Sequence, residues 1–382
     1  MSSKIILIFL LFTILEIVVS KKQKRKPKTI DEYERMKNYT FPRTRFIRDY
    51  GKKTLNKLRF LHIPKTGTTF AATIVHYSCH KLNDIYIDVL IRLNSGKPQP
   101  WKFDSTCKSN IIRAVSKNGN WWSHIPYRNG IDNNATVTFF REPYKRLTSQ
   151  LIHMQTLQGR MVAFPGLDFA DIVPLMSIFK NPERAFDRNT YILNTNTSMV
   201  KESDKPTAVS CTAEEKRQYI ESQLIIMQDI WKNCSETENK ENKLRGRYAM
   251  HACKWAVAAA YPGLQACATK MLLGRNCCEK CPVSEADVQE ATRVLTDEVI
   301  FVGLQNRWED SINTFHTYFG GQLYPEELLT FRANTKNRVK TQAERVVHRY
   351  THDDTDERMY SVAVQRLNDM MLKIQRNVEK SI

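Results

Sequence analysis

Nine consecutive residues, His62-Ile-Pro-Lys65-Thr66-Gly67-Thr68-Thr69-Phe70, combine a full positive charge, three hydroxyls and a flexible backbone point. Such a set suits an anion. Gly67 lets the backbone approach closely, the threonines supply donors, and Lys65 supplies charge. A second set, Arg141-Glu-Pro-Tyr-Lys-Arg146-Leu-Thr-Ser149, places an arginine eight residues before a serine. Arg141 offers a bidentate fork and Ser149 a hydroxyl, a pair able to grip one phosphate. A third, Trp122-Ser123-His124-Ile-Pro-Tyr127, carries a histidine just before the strand that leads into the second set. An imidazole with an ordinary pKa of about 6.5 can take or give a proton near neutral pH.

The elements around these residues explain how they would be presented. Leu58 to Ile63 reads as a strand that stops at Pro64. Phe70 to Cys79 then has apolar residues at helical spacing. Thr136 to Arg141 reads as a second strand, broken by Glu142-Pro143. Tyr144 to Gln155 follows as a helix with Leu147, Leu151 and Ile152 on one face. Val299 to Leu304 and Arg307 to Tyr318 form a third strand-helix unit, and Asp356 to Lys380 a long amphipathic helix. Strands alternating with helices predict an α/β fold, a parallel sheet with both faces covered. In such sheets ligands bind at the carboxyl ends of the strands, where Lys65 and Arg141 fall. The stretch from about 180 to 285 breaks the alternation. Its polar run NCSETENKENK (233–243) and its cysteines predict an inserted or lid-like subdomain with exposed loops.

The loop is not a Walker A motif, since Lys65 precedes the glycine and the first glycine is missing, which disfavours a P-loop kinase or ATPase. Together the two phosphate sets resemble the PAPS-dependent sulfotransferases (PAPS is 3′-phosphoadenosine 5′-phosphosulfate), above all the Golgi carbohydrate group that includes the heparan sulfate 2-O- and 6-O-sulfotransferases. HIPKTGTTF resembles that family's 5′-phosphosulfate loop. FFREPYKRLTS resembles its 3′-phosphate motif, with Glu142 where the family usually has Asp, and FVGLQNRWEDSINTFH (301–316) resembles its late strand-helix segment. The likeness covers roughly 58–155 and 295–320 and is poor over 160–290.

The resemblance implies a P-loop-like parallel sheet with a Cys-containing insertion, and PAPS as the donor. Lys65 would contact the oxygen bridging phosphate and sulfate. Thr66, Gly67, Thr68, Thr69 and Phe70 would hold the 5′-phosphosulfate, and Arg141 and Ser149 the 3′-phosphate. The segment Trp122 to Tyr127 resembles the one that carries the catalytic histidine of the heparan sulfate 2-O and 6-O enzymes, so His124 would be the base, with His62 and Glu142 as weaker rivals, and the reaction needs no metal. The partners implied are this nucleotide donor and a hydroxyl acceptor, a glycan or an acidic polysaccharide first, and no nucleic acid. A protein-tyrosine sulfotransferase and a non-catalytic secreted polyanion-binding protein are the alternatives.

Composition agrees with an anionic partner. The 382 residues carry 58 Lys and Arg against 40 Asp and Glu, a net +18. Six of those charges lie in KKQKRKPK (21–28), leaving +12 for the rest. Residues 1–20, with the apolar run Ile5 to Val19, read as a cleaved signal peptide or a signal anchor. Residues 21–56 read as a basic stem and 57–382 as the catalytic domain. Both N-terminal readings lead into the secretory pathway, with the Golgi lumen as destination and secretion as the alternative. Four N-x-Ser/Thr sequons, at Asn38, Asn134, Asn196 and Asn233, fit that route, as do nine cysteines, read as disulfides. The odd count predicts a thiol left free or paired between chains. Cys278-x-x-Cys281 lacks a partner motif for zinc.

Overall fold

The computed structural model describes residues 59–67, 70, 73–74, 124, 126–156, 178, 211–241, 246–320, 323, 325–328 and 338–379. The expected N-terminal signal or anchor, the basic stem, Thr68, Thr69, Cys79, Cys107 and the sequons at Asn38 and Asn196 lie outside the described residues. Among the described residues no helix is long and apolar enough to cross a membrane.

Three strands, β1 (Arg59–Leu61), β2 (Thr136–Phe140) and β3 (Val299–Leu304), form a parallel sheet in the order β1-β2-β3. The fold is α/β. Every residue of β2 and β3 is buried, as expected for strands of a parallel sheet. Alternation splits β2 between two cores: Val137 and Phe139 join one apolar cluster, Phe140 the other. Phe139 decides the local geometry. It pairs with Gly303 across the sheet, and any Cβ at Gly303 would run into its ring. A glycine in β3 is therefore the space that Phe139 fills.

Helix α1 (Pro143–Thr156) follows β2 directly. Pro143 opens it where no amide hydrogen is needed, and the Arg146 amide closes the first turn onto the Glu142 carbonyl. Leu147 and Leu151 are fully buried, as their spacing predicts. Helices α2 (Ala213–Glu241), α3 (Gly246–Ala259), α4 (Cys267–Leu272) and α5 (Glu285–Arg293) precede β3. Helices α6 (Trp308–Phe319), α7 (Arg338–Tyr350) and α8 (Asp354–Glu379) follow it.

The region read as exposed loops differs from that expectation. Residues 233–241 are the last turns of α2, with Cys234 and Glu238 buried. Two tertiary contacts fix this polar stretch as helix: the Cys234–Cys253 disulfide to α3, and the Glu238 carboxylate, paired with Arg345 and Arg349 of α7. Helix α3 is part of the main core, with Trp255 to Ala259 all buried. Further disulfides join Cys211 to Cys281 and Cys267 to Cys277. Cys281 is thus bonded to Cys211 rather than forming a thiolate pair with Cys278.

Candidate active site

The carboxyl ends of β1 and β2 carry the candidate residues. After β1 the chain turns at Pro64 and Lys65. The Thr66 amide (3.4 Å) and hydroxyl (2.8 Å) both donate to the Ile63 carbonyl. The Thr66 hydroxyl hydrogen is thereby committed to closing the loop. Lys65 has φ 66, a left-handed conformation uncommon for a residue with a side chain. Gly67 has φ 155, and a Cβ there would stand 3.2 Å from the Phe139 ring, so both conformation and space favour glycine.

Phe70 anchors the far end of the loop. It is fully buried and its ring meets Phe139 at 4.2 Å and Phe315 at 5.3 Å. Its amide donates to the Gly67 carbonyl at 2.9 Å. Phe70 therefore holds the loop through packing, and its backbone hydrogen is used within the turn.

His124 approaches from the chain preceding β2. That segment is fastened at three points. The Pro126 carbonyl accepts from Arg59 Nη2 (2.8 Å), the Tyr127 amide donates to the Met271 carbonyl (2.8 Å), and the Tyr127 hydroxyl donates to the Glu298 carboxylate. Arg59 is itself paired with the buried Asp132. The fastening brings His124 Nδ1 to 2.8 Å from the His62 carbonyl, with the two imidazoles 4.5 Å apart. A carbonyl only accepts, so Nδ1 carries the hydrogen and Nε2 is the basic nitrogen of the neutral ring. Burial pushes the His124 pKa down to about 4. The His62 carbonyl opposes that shift, and the Lys65 charge adds to it. His62 is lowered further, by burial and by His124 and Lys65, and it stacks on Phe60 at 5.2 Å.

Arg141 lies just past β2 with its side chain 10% exposed. Nη1 reaches the Lys65 carbonyl at 3.4 Å and Nη2 lies 3.9 Å from Glu344 of α7. Burial lowers its pKa, and Glu344 and Glu142 partly restore it. Its Nε is buried with no acceptor among the described residues. A cation this well desolvated, with a donor unused, is suited to an anion. Ser149 is half-buried in α1, and no hydrogen bond joins it to Arg141 among the described residues. Glu142 pairs with Lys145 at 2.6 Å.

The structure thus brings Lys65, His124 and Arg141 to one end of the sheet. Sequence reasoning missed the groups that hold them. Arg59, Glu298 and Glu344 lie far along the chain, and the His62 contact is made by a main-chain atom, which no residue pattern reports. It also missed the role of Arg146, the last basic residue of the second set. Arg146 is fully buried, donating to the Leu264 carbonyl (2.8 Å) and lying 3.4 Å from both Asp353 and Asp356. Those carboxylates accept from the Ala266, Ala268 and Thr269 amides around α4. Arg146 therefore ties α1 to the disulfide-bearing region and to α8. Comparison with protein-family models, with curated proteins and with solved structures finds no match.

Proposed function

We propose that this chain is a PAPS-dependent sulfotransferase acting on a hydroxyl acceptor, a carbohydrate first. The observation that carries the reading is His124. Its Nδ1–H is fixed on the His62 carbonyl, which leaves Nε2 as the base, at the same sheet end as Lys65 and Arg141. The parallel sheet, with a tight turn at Pro64 to Gly67 straight after β1, supports the P-loop-like reading of the fold. The disulfides within 211–281 support a Cys-stabilised region, and they fit a secretory route.

The residues present fit a doubly phosphorylated nucleotide. Arg141, with its unused buried Nε, would hold the 3′-phosphate together with Ser149. Lys65 and the Gly67 amide would hold the 5′-phosphosulfate, with Thr68 and Thr69 of the same loop. The donor supplies an activated sulfuryl group on a good leaving group.

His124 Nε2 takes the proton of the acceptor hydroxyl as its oxygen bonds to sulfur. Lys65 stabilises the negative charge that collects on the bridging oxygen as the old sulfur–oxygen bond breaks. Preorganisation matters here, because Lys65 is locked in its left-handed turn and His124 in its tautomer before any ligand arrives.

Transfer of labelled sulfate from PAPS to a panel of glycans and tyrosine peptides tests the reading, with Lys65→Ala and His124→Ala alongside. Transfer to glycans is expected, with His124→Ala slower by about 10²–10⁴-fold. Failure of the wild-type protein to bind 3′,5′-adenosine bisphosphate would remove the donor assignment. Full activity of His124→Ala would remove only the base. Transfer to tyrosine peptides alone would redirect the acceptor class.

A further inference from the structure

At the opposite end of the sheet, the turn into β2 carries the sequon Asn134-Ala-Thr136. Asn134 is exposed, with φ 54 and its amide on the Glu298 carbonyl at 3.0 Å. It borders a cavity of about 270 Å³ whose wall includes Asp297, Tyr318, Arg366, Asp369 and Lys373. The wall mixes carboxylate acceptors, cationic donors and an aromatic ring. Two carboxylates offset the two cations, so the wall offers a phosphate no net positive charge. It matches a sugar, whose hydroxyls both donate and accept and whose C–H face packs on an aromatic ring. Arg366 uses Nη2 on the Val299 carbonyl (2.6 Å), while its buried Nε has no acceptor among the described residues. The second described sequon is different. Asn233 is also exposed, yet it sits within the last turns of α2, and the sequon's central residue, Cys234, is bonded to Cys253.

We propose that Asn134 carries an N-linked glycan whose innermost sugar seats in this cavity. The inference rests on the secretory placement in the reading above. The Asn134 amide nitrogen forms a bond to the anomeric carbon of an oligosaccharide carried on a lipid pyrophosphate. The carbon–oxygen bond to pyrophosphate breaks, the lipid pyrophosphate leaves with the electron pair, and the amide loses one proton.

The step precedes folding of β2, because the Thr136 hydroxyl is afterwards buried on the Asp132 carbonyl at 2.9 Å. The five strand residues of β2 separate the turn at Asn134 from Arg141, roughly 17 Å at the strand rise. The glycan therefore covers the amino end of the sheet and leaves the candidate active site open.

The test is expression of the full chain in secretory cells, followed by glycoamidase release in heavy-oxygen water and peptide mass spectrometry. The Asn134 peptide is expected as heavy-labelled aspartate, and the label is absent from Asn134→Asp, a variant that tolerates the left-handed turn. Release from the native protein is expected to be about tenfold slower than from the unfolded chain, and Arg366→Ala removes that protection. Equal rates would overturn the seat. Unmodified Asn134 in a protein whose Cys211–Cys281 bond has formed overturns the glycan while the secretory placement stands. Unmodified Asn134 with those cysteines reduced overturns both.

Discussion

Acidification is the perturbation that bears most directly on His124. Its folded pKa is about 4, whereas the unfolded chain has the ordinary 6.5. Between those values the unfolded state binds the extra proton. Stability is therefore whole above pH 6.5 and falls as the pH drops toward 4. At pH 5 the loss from this group works out at about 2 kcal/mol, and the limit below pH 4 is roughly 3 kcal/mol. His62 contributes in the same direction, so His124 must be isolated by difference. Urea denaturation of the wild type and His124→Gln at pH 7.5 and pH 5 provides that difference. The wild type is expected to lose about 2 kcal/mol more than the variant. Imidazole nitrogen shifts by NMR report the same group directly, with the hydrogen on Nδ1 and a midpoint near 4. Lys65→Met should raise that midpoint, since the Lys65 charge helps to lower it. Equal losses in the two proteins, a midpoint near 6.5, or a hydrogen on Nε2 would refute the reasoning.

Arg141→Ala should weaken binding of 3′,5′-adenosine bisphosphate by about 10- to 100-fold, the loss of one charge-assisted contact, measured by calorimetry against adenosine 5′-monophosphate. The monophosphate should be far less affected. Arg146→Met strands the buried Asp353 and Asp356 and should cost about 3–5 kcal/mol in urea at pH 7.5. Burial and Asp356 already push the Asp353 pKa up, so folded Asp353 takes a proton before the unfolded chain does. The deficit should therefore shrink as the pH falls from 7.5. Gly303→Ala drives a methyl into the Phe139 ring and should destabilise by about 1–3 kcal/mol, seen as a lower urea midpoint.

Much of the scaffold was legible in the chain. Strand runs ending at Pro64 and at Glu142-Pro143, and the helical spacing of Leu147 and Leu151, depend on local geometry, and the structure has β1, β2 and α1 at those places. The run 233–243 was misread for the same reason. Its polarity is local, but the contacts that hold 233–241 helical come from Cys253, Arg345 and Arg349. The role of Arg146 emerges only once its carboxylate partners, more than two hundred residues away, are known.

The sequence by itself determined which residue types could meet an anion and take a proton, and that Lys65 and Arg141 would stand at strand ends. Residue type and short-range spacing suffice for that. Only the tertiary structure decided that His124 would meet the His62 carbonyl and that Arg141 would lie between Lys65 and Glu344. Those contacts join a main-chain atom, or a residue on α7, to side chains far away in sequence. Packing across the sheet brings them together, and no local pattern encodes it.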